Sequence, residues 1–323
     1  MSQDKIVKKN IFITGGSGFI GSWLIARLIQ DNKVWCYDNA RRVSAKFTEL
    51  SRHRNLTFVK GDILDKDNLK SGIPKRLDIV VHLAAIAGVS SYYDMPLETM
   101  QVNLIGTYNL LELMKNKDLD IFIDFSTSEV YGRYAKGVSE ADDTVQGPVS
   151  DRRWTYGISK LAAESLAHCY HYKYDLPVAS IRPFNIYGPL QIGEGAIRIF
   201  VSNAVRNKTL SIHGDGSQVR AWCYIEDLVE GVFGCMKNRD AAIGSVFNLG
   251  NPNASISILD LAKKIIKIAG SKSKLCFRKE TRTDIEYRMP DISKAKKLIG
   301  YSPSVSLTEG LKRTVEWYRT NPI

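Results

Sequence analysis

Tyr156 and Lys160 are separated by three residues in the stretch Tyr156-Gly-Ile-Ser-Lys160. If this stretch is helical, the phenol and the ammonium lie on the same face. A neighbouring ammonium stabilises a phenolate and lowers its pKa from about 10 toward neutral pH, as a proton-transferring base requires. Thr127 follows the apolar stretch Ile121–Ser126, and strand ends collect ligands in an open parallel sheet. We therefore predict that Thr127, Tyr156 and Lys160 act together.

A glycine-rich turn, Thr14-Gly15-Gly16-Ser17-Gly18-Phe19-Ile20-Gly21, stands between a predicted strand and an amphipathic helix. The first glycines of such a turn let the backbone approach a pyrophosphate, and the last lets helix and strand pack closely. The start of the helix offers free N–H groups and a partial positive charge to the phosphates. This arrangement predicts dinucleotide binding.

Asp38 closes the second predicted strand, about 20 residues beyond the turn, where a carboxylate binds the ribose hydroxyls. It would repel a 2′-phosphate and therefore favours NAD over NADP. Arg41 and Arg42 follow, and they either receive such a phosphate or are solvated loop residues. Asp62 follows the third strand and either bonds the adenine or caps a helix.

Strands and helices alternate along the first 182 residues, which predicts an α/β fold of the Rossmann type with a doubly wound parallel sheet. The predicted strands are Asn10–Thr14, Val34–Tyr37, Leu56–Lys60, Ile79–Leu83, Ile121–Ser126 and Val178–Arg182, and the main helices are Phe19–Gln30, Met100–Lys115 and Tyr156–Tyr174. After Pro183, proline and glycine divide the chain into shorter pieces. We expect a cofactor-binding domain at 1–182, joined again by 225–249, and a smaller α/β substrate domain at 183–323.

The composition is that of a globular protein, since 44% hydrophobic residues suffice for a sizeable core. The sequence has neither a signal peptide nor an apolar run long enough to span a bilayer, so we expect a cytoplasmic protein without membrane contact. The five cysteines form no C-x-x-C pair and predict no metal or redox site. The net charge of +11 is scattered, which suits a small anionic substrate better than nucleic acid.

The chain is similar to extended short-chain dehydrogenases/reductases, in the NAD-dependent epimerase/dehydratase family that acts on nucleotide-sugars. The resemblance spans nearly the whole sequence and rests on motifs in a fixed order: Gly15-x-x-Gly18-x-x-Gly21, Asp38, Gly61-Asp62, His82-Leu-Ala-Ala85, Asn103-x-x-Gly106-Thr107, Ser126-Thr-Ser-Glu-Val-Tyr-Gly132, Tyr156-x-x-x-Lys160, Arg182-Pro-Phe-Asn-Ile-Tyr-Gly-Pro189 and Arg288-Met-Pro-Asp291.

The resemblance implies that Tyr156 takes the proton of the sugar 4-hydroxyl while hydride passes to NAD. Lys160 would lower the tyrosine pKa and bind the nicotinamide ribose, and Thr127 would bond the same hydroxyl. The implied cofactor residues are Gly15, Gly18, Phe19, Ile20, Asp38, Asn39, Asp62, Ile63, Leu83, Ala84, Ala85, Asn103, Tyr156 and Lys160. His82 is predicted to be structural.

Ser128 and Glu129 follow Thr127, and their identity bears on which reaction follows oxidation of the sugar at the 4-position. Thr-Ser-Glu is similar to UDP-glucuronate decarboxylases, and the stretch Arg153-Trp-Thr-Tyr156 also to some uronate 4-epimerases. A 4,6-dehydratase or 4-dehydrogenase is the alternative, although the Asp-Glu pair of such dehydratases is absent. A non-catalytic NAD-sensing scaffold is the alternative of another class.

Arg153 lies three residues before Tyr156, and it either grips a sugar carboxylate with two bonds or belongs to a solvated loop. Beside such a carboxylate, Glu129 would have a raised pKa suited to acid/base work, or else it bonds backbone at the strand end. The resemblance assigns the nucleotide-sugar, UDP-linked by family branch, to Asn185, Arg198, Arg220 and Arg288, with a surface helix position as the alternative for Arg198. It also implies a homodimer formed through a four-helix bundle.

Overall fold

Seven parallel strands form the central sheet of the computed structural model, which describes residues 6–279 and 285–321. The strands in chain order are β1 Asn10–Thr14, β2 Lys33–Asp38, β3 Leu56–Lys60, β4 Ile79–His82, β5 Ile121–Phe125, β6 Tyr134–Val138, β7 Val178–Pro183, β8 Ile186–Tyr187, β9 Leu210–His213, β10 Val219–Ala221, β11 Cys223–Tyr224, β12 Val246–Leu249, β13 Ser255–Ser257, β14 Leu275–Arg278 and β15 Tyr287–Pro290. The sheet order is β12-β7-β5-β4-β1-β2-β3. The predicted doubly wound parallel sheet is confirmed.

The helices lie between these strands. They are α1 Phe19–Leu28, α2 Ala45–Leu50, α3 Lys66–Gly72, α4 Val89–Asp94, α5 Pro96–Met100, α6 Gly106–Met114, α7 Thr155–Tyr174, α8 Ala196–Ala204, α9 Ile225–Lys237, α10 Arg239–Ala242, α11 Ile258–Ala269, α12 Ser293–Ile299 and α13 Leu307–Thr320. None of those within 6–279 and 285–321 has both the length and the apolar character that crossing a membrane requires.

Both faces of the central sheet are buried because its strands are apolar on both sides. Along β1, Ile11 and Ile13 pack into one hydrophobic cluster, while Phe12 packs into another on the opposite face. All five residues of β5 are buried. This is the pattern expected for a parallel sheet covered by helices. The carboxyl ends of the strands consequently meet at one edge, where the predicted site residues lie.

The sequence predicted one regular helix over Met100–Lys115. That prediction is wrong, because a π-helical turn at Gln101–Ile105 separates α5 from α6. Such turns insert an extra residue and often lie at functional sites. The amide of Asn103, within the turn, donates to the backbone oxygen of Ile86 and accepts from its N–H. The turn thereby fixes the loop after β4.

The second half of the chain builds a smaller sheet in the order β13-β10-β15-β6. Strand β6 comes from the first half of the chain, whereas β12 pairs with β7 at the edge of the central sheet. Strands β10 and β15 are parallel neighbours that place Arg220 opposite Arg288. Two arginines far apart in sequence are thus brought to one side of the molecule.

Candidate active site

The glycine turn between β1 and α1 has the geometry of a phosphate-binding loop. Gly15 has φ +70°, and a Cβ there would lie 2.6 Å from the backbone N of Ala84. A Cβ on Gly21 would lie 2.5 Å from Cα of Gly16, so this glycine permits the close packing of helix and strand. Helix α1 starts after Gly18 without a side-chain cap, which leaves its first N–H groups to an anion.

A cavity of about 440 Å³ opens beside this turn. Eleven of the fourteen predicted cofactor residues line it: Gly15, Gly18, Phe19, Ile20, Asp38, Asn39, Asp62, Ile63, Leu83, Ala84 and Ala85. The other three, Asn103, Tyr156 and Lys160, do not line it, although Asn103 bonds Ile86, which is part of the lining. The lining also includes Ser91, Gln101 and Ile192, which the sequence reasoning missed because they follow no recognisable motif. The shape and donors of this cavity fit a dinucleotide.

The carboxylate of Asp38 is held at the end of β2 by the backbone N–H groups of Ser17 and Ala40, at 3.1 and 2.8 Å. Arg41 and Arg42 also line the cavity, and Arg42 donates to the backbone oxygen of Ala87 at 2.9 Å and to the hydroxyl of Ser91 at 3.2 Å. With Arg42 occupied and a fixed carboxylate at the ribose position, the cavity suits NAD better than NADP.

Asp62 is not a helix cap, so that alternative was wrong. Asp65 caps α3 by accepting from the N–H of Asn68 at 3.0 Å. Asp62 instead accepts from the N–H of Leu64 and lines the cavity. Asn39 similarly bonds its own loop, through the N–H of Arg41. Both side chains are therefore fixed at the end of the cavity where the adenosine of a dinucleotide belongs.

Tyr156 and Lys160 lie in the first turns of α7, and Thr127 caps the short helix that follows β5. The hydroxyl of Thr127 hydrogen-bonds the phenol of Tyr156. Burial raises the pKa of Tyr156 to about 12, and this hydrogen bond offsets part of the rise. The expectation of a lowered pKa is thus wrong for the chain alone, because burial dominates and the charges of Glu129 and Asp124 raise the pKa further. A cationic nicotinamide beside the phenol would act in the opposite direction.

Lys160 is buried and acts on two buried groups of the central sheet, His82 and Asp124. These are paired neighbours on β4 and β5. Burial, together with the Lys160 charge, lowers the pKa of His82 to about 3, so this side chain is neutral. Its two ring nitrogens bond the hydroxyls of Thr14 and Thr107 at 2.7 and 2.9 Å. A buried neutral ring with both nitrogens bonded supports the structural role predicted for His82.

Glu129 lies between two buried arginines, and we call Arg153, Arg288 and Glu129 the arginine cluster. One Glu129 oxygen is 2.7 Å from Nη2 of Arg153 and 3.5 Å from Nη2 of Arg288. The two arginines are only 6% and 2% exposed. Together the two arginines carry one more positive charge than Glu129 balances. Three of their nitrogens are buried without a hydrogen-bond partner among the described residues, namely Nη1 of Arg153 and Nη1 and Nε of Arg288.

The ionisation of Glu129 differs from the expectation. Burial acts to raise its pKa, but Arg288, Arg153 and, further off, Arg220 outweigh it and hold the pKa at about 2. The raised pKa expected beside a sugar carboxylate is therefore wrong for the chain alone. Glu129 is a permanent carboxylate here, and the solvated-loop alternative for Arg153 is excluded by its burial.

The remaining predicted residues divide into two groups. Ser128 is buried directly beside Thr127, and Asn185 bonds the backbone oxygen of Ala221, next to Arg220. Arg198 is placed elsewhere, since its Nε donates to the backbone oxygen of Gln191 and its charge acts on Tyr318. The substrate-binding role of Arg198 stays a prediction.

Tyr92 belongs to the site and was missed. Its ring is buried, stacks on that of Tyr156 with centroids 6.2 Å apart, and has the Arg153 guanidinium 5.3 Å from its centroid. The surrounding sequence, Ser90-Ser-Tyr-Tyr93, contains no motif that would have identified it. Only the fold brings α4 over the start of α7.

Comparison with known proteins decides the family, because the model of the NAD dependent epimerase/dehydratase family matches residues 11–250. The chain belongs to this family. The match runs from β1 to the end of β12 and so includes the glycine turn, Thr127, Tyr156 and Lys160. The family predicted from the sequence motifs is confirmed.

Two curated relatives match along almost their full length. The UDP-N-acetyl-alpha-D-glucosaminuronate decarboxylase of Bacillus cytotoxicus is 36% identical over 97% of this chain and 98% of the relative. The UDP-glucuronate 4-epimerase of Thermodesulfobacterium geofontis is 34% identical over 96% of each. Among solved structures, UDP-glucuronic acid 4-epimerase from Bacillus cereus, in complex with UDP-glucuronic acid and NAD, superposes with a TM-score of 0.87 and 33% identity over 96% of this chain and 99% of that one.

The chain is therefore an NAD-dependent enzyme that modifies nucleotide-sugars. The dinucleotide cavity and the family agree on the cofactor. The alternative of a non-catalytic NAD-sensing scaffold is not supported. The family model is that of NAD-dependent epimerases and dehydratases, and Thr127, Tyr156 and Lys160 are all present, at the end of β5 and in the first turns of α7.

Proposed function

We propose that this enzyme decarboxylates a UDP-hexuronate after oxidising it at the 4-position. The observation that carries the proposal is the arginine cluster beside Tyr156. Two buried guanidinium groups share one glutamate, which leaves one positive charge and several N–H donors unmatched. Buried unpaired charge is costly, so such a site is built for an anion. A planar guanidinium matches a carboxylate with two parallel bonds.

The protein groups have distinct parts in the first step. Tyr156 as phenolate accepts the proton of the 4-hydroxyl, and Thr127, bonded to the phenol, orients the same oxygen. Lys160 is buried one helical turn beyond Tyr156 on α7. The glycine turn and Asp38 would hold NAD, which would supply the acceptor for the hydride from C4 and the source of its return. The chain itself thus provides the base, the orientation and the exclusion of water.

The 4-ketone changes the chemistry of the carboxylate on C5. That carboxylate is now β to a ketone, so the C5–C6 bond can break with its electron pair moving into the ketone while carbon dioxide departs. The enolate formed at C4–C5 takes one proton at C5, and hydride returned to C4, with a proton for its oxygen, completes a UDP-pentose. Tyr156, protonated in the first step, is placed to give its proton back.

Glu129 favours loss of the carboxylate over its retention. It remains ionised between Arg153 and Arg288, so a bound carboxylate must share these guanidinium groups with another anion. Two carboxylates in a partly buried site repel each other, and the departure of neutral carbon dioxide removes the repulsion. An enzyme that only inverts C4 needs the carboxylate to survive the ketone stage.

A UDP-hexuronate 4-epimerase is the second candidate. It uses the same first step and the same carboxylate grip, and it is favoured by the T. geofontis relative and by the B. cereus structure with UDP-glucuronic acid. The two candidates differ in whether the ketone loses carbon dioxide before hydride returns, and the epimerase must in addition receive the hydride on the opposite face of C4.

Incubation with UDP-glucuronate and NAD, followed by mass spectrometry, separates these outcomes. The proposal expects a product lighter by carbon dioxide, and Tyr156→Phe should abolish its formation while NAD binding and the circular dichroism spectrum are retained. Unchanged mass with a new retention time would identify the epimerase. Loss of water would identify a dehydratase and contradict the proposal.

Two organisational features also remain proposals. Residues 1–182 with 225–249 would bind NAD and 183–323 the nucleotide-sugar, supported by the place of β12 in the central sheet and by Arg220 and Arg288 in the smaller one. Two copies would pair through α5–α6 and α7, where Leu97, Ile105 and Tyr108 are exposed. Light scattering measures that assembly.

A further inference from the structure

We propose that Tyr92 is a positioning residue that holds both the base, Tyr156, and the carboxylate-binding arginine, Arg153. The part of this inference that concerns Arg153 rests on the proposed function. Its ring is 3% exposed and contacts both groups. On one side the ring of Tyr156 is nearly parallel to it, at 22° and a centroid distance of 6.2 Å. The guanidinium carbon of Arg153 is 5.3 Å from the Tyr92 centroid.

The contact with Arg153 is of the cation–π type, which strengthens when the cation is desolvated. Arg153 is buried, and its Nη2 is bound to Glu129. With the Tyr92 and Trp154 rings both near the guanidinium, at 5.3 and 5.6 Å, Arg153 has little freedom to turn. Its Nη1, which has no partner among the described residues, is therefore held ready for the substrate. Tyr92 supplies an aromatic face for this purpose without adding a competing charge.

Helix α4, which carries Tyr92, is itself tied to three other segments. Glu194 accepts from the N–H of Ser90 at 3.0 Å, Arg42 donates to the Ser91 hydroxyl at 3.2 Å, and Arg152 donates to the backbone oxygen of Tyr93 at 2.8 Å. A helix of six residues has little stability by itself. These side-chain bonds to Ser90, Ser91 and Tyr93, on both sides of Tyr92, explain how so short a helix can fix a ring with the precision that catalysis demands.

The role predicts a division of kinetic effects that a purely structural residue would not show. Removing the ring should let Tyr156 move and lower kcat with any nucleotide-sugar that the enzyme oxidises. It should raise KM only for a substrate with a carboxylate, because only that substrate uses Arg153. Each effect is expected to be roughly tenfold, the scale of one desolvated cation–π or stacking contact.

The experiment compares wild type, Tyr92→Phe, Tyr92→Leu and Tyr92→Met as NAD-loaded enzymes with UDP-glucuronate and with UDP-glucose. Phenylalanine keeps the ring and should restore most activity, whereas leucine and methionine should not. Methionine fills more of the volume and keeps the test valid if the leucine variant fails to fold. Tyr172→Leu, at a side chain 77% exposed, controls for loss of a surface tyrosine.

The experiment distinguishes a failure of the proposed function from a failure of the positioning role of Tyr92. If wild type oxidises UDP-glucose but ignores UDP-glucuronate, the proposed function fails, while the kcat of the Leu or Met variant with UDP-glucose still decides the role of Tyr92. Wild-type kcat in a folded Leu or Met variant would overturn the positioning role. An equal loss in Tyr92→Phe would also overturn it, because the hydroxyl and not the ring would then be responsible.

Discussion

Replacement of Glu129 by glutamine tests the charge balance of the arginine cluster. The carboxylate has a pKa of about 2, compared with 4.5 for an ordinary glutamate. Such a difference corresponds to about 3 kcal/mol of stabilisation at neutral pH. Removal of one partner from a buried ion pair costs a similar amount, because the remaining charge is left without a counter-ion. We therefore expect Glu129→Gln to lower the free energy of unfolding by about 3 kcal/mol at pH 7.

The sign of the pH dependence follows from the lowered pKa. A carboxylate with a lower pKa in the folded state stabilises the protein fully above its unfolded pKa, near 4.5, and this contribution disappears as the pH falls toward 2. The difference between wild type and Glu129→Gln should be constant between pH 7 and pH 5. It should shrink below pH 4.5, because wild type then loses the contribution that the variant never had.

Urea titrations followed by circular dichroism at several pH values measure this difference. Glu316→Gln is the matched control, since Glu316 is 68% exposed and its pair with Arg319 spans 3.7 Å at the surface, where such pairs contribute little. UDP-glucuronate should stabilise Glu129→Gln more than wild type, because its carboxylate replaces the missing anion. Equal stabilities at pH 7, or a difference that persists undiminished at pH 3, would show that Glu129 does not neutralise the arginines.

Two further variants address single contacts. Arg288→Lys keeps the charge but loses the planar donor pair, so KM for UDP-glucuronate should rise roughly tenfold in steady-state assays with little change for UDP-glucose; an equal change for both sugars would contradict a carboxylate grip. Thr127→Val removes the hydrogen bond that lowers the Tyr156 pKa, so the rising limb of the pH–rate profile should move to higher pH, and an unmoved limb would contradict the contact.

The cofactor side of the site could be predicted from the sequence because it is local. The glycine turn, Asp38, Asp62 and the segment Leu83–Ala85 each follow directly after a strand of the central sheet. Parallel strands place such segments at the same edge, so the linear order of motifs specifies the cavity. The cavity lining departs from the prediction because Asn103, Tyr156 and Lys160 are not part of it, and because it includes residues such as Ser91 on α4, Glu98 on α5, Gln101 in the π-helical turn and Ile192.

The ionisation of the site could not be predicted in this way. Whether Glu129 has a raised or a lowered pKa depends on how close Arg153 and Arg288 come to it, and this distance is set by the packing of β15 against β6. For Tyr156 the spacing to Lys160 gave no indication of the extent of burial, which dominates the pKa of the phenol. Tyr92 had no signal at all, since its role depends on a helix fixed by Glu194, Arg42 and Arg152.

The distribution of charge gives the proposed reaction a direction. With a hexuronate bound, the two guanidinium groups of the arginine cluster are balanced by Glu129 and the substrate carboxylate. When carbon dioxide leaves, the electron pair of the C5–C6 bond moves through C5 to the oxygen on C4, so the negative charge passes from the carboxylate oxygens to that oxygen, which Tyr156 and Thr127 would contact. The arginine cluster then regains its excess positive charge, which neither stabilises nor binds the neutral product. A site arranged in this way binds the acid through the arginines against the repulsion of Glu129, and the loss of carbon dioxide removes both that repulsion and the carboxylate contacts, so the pentose is bound more weakly than the acid.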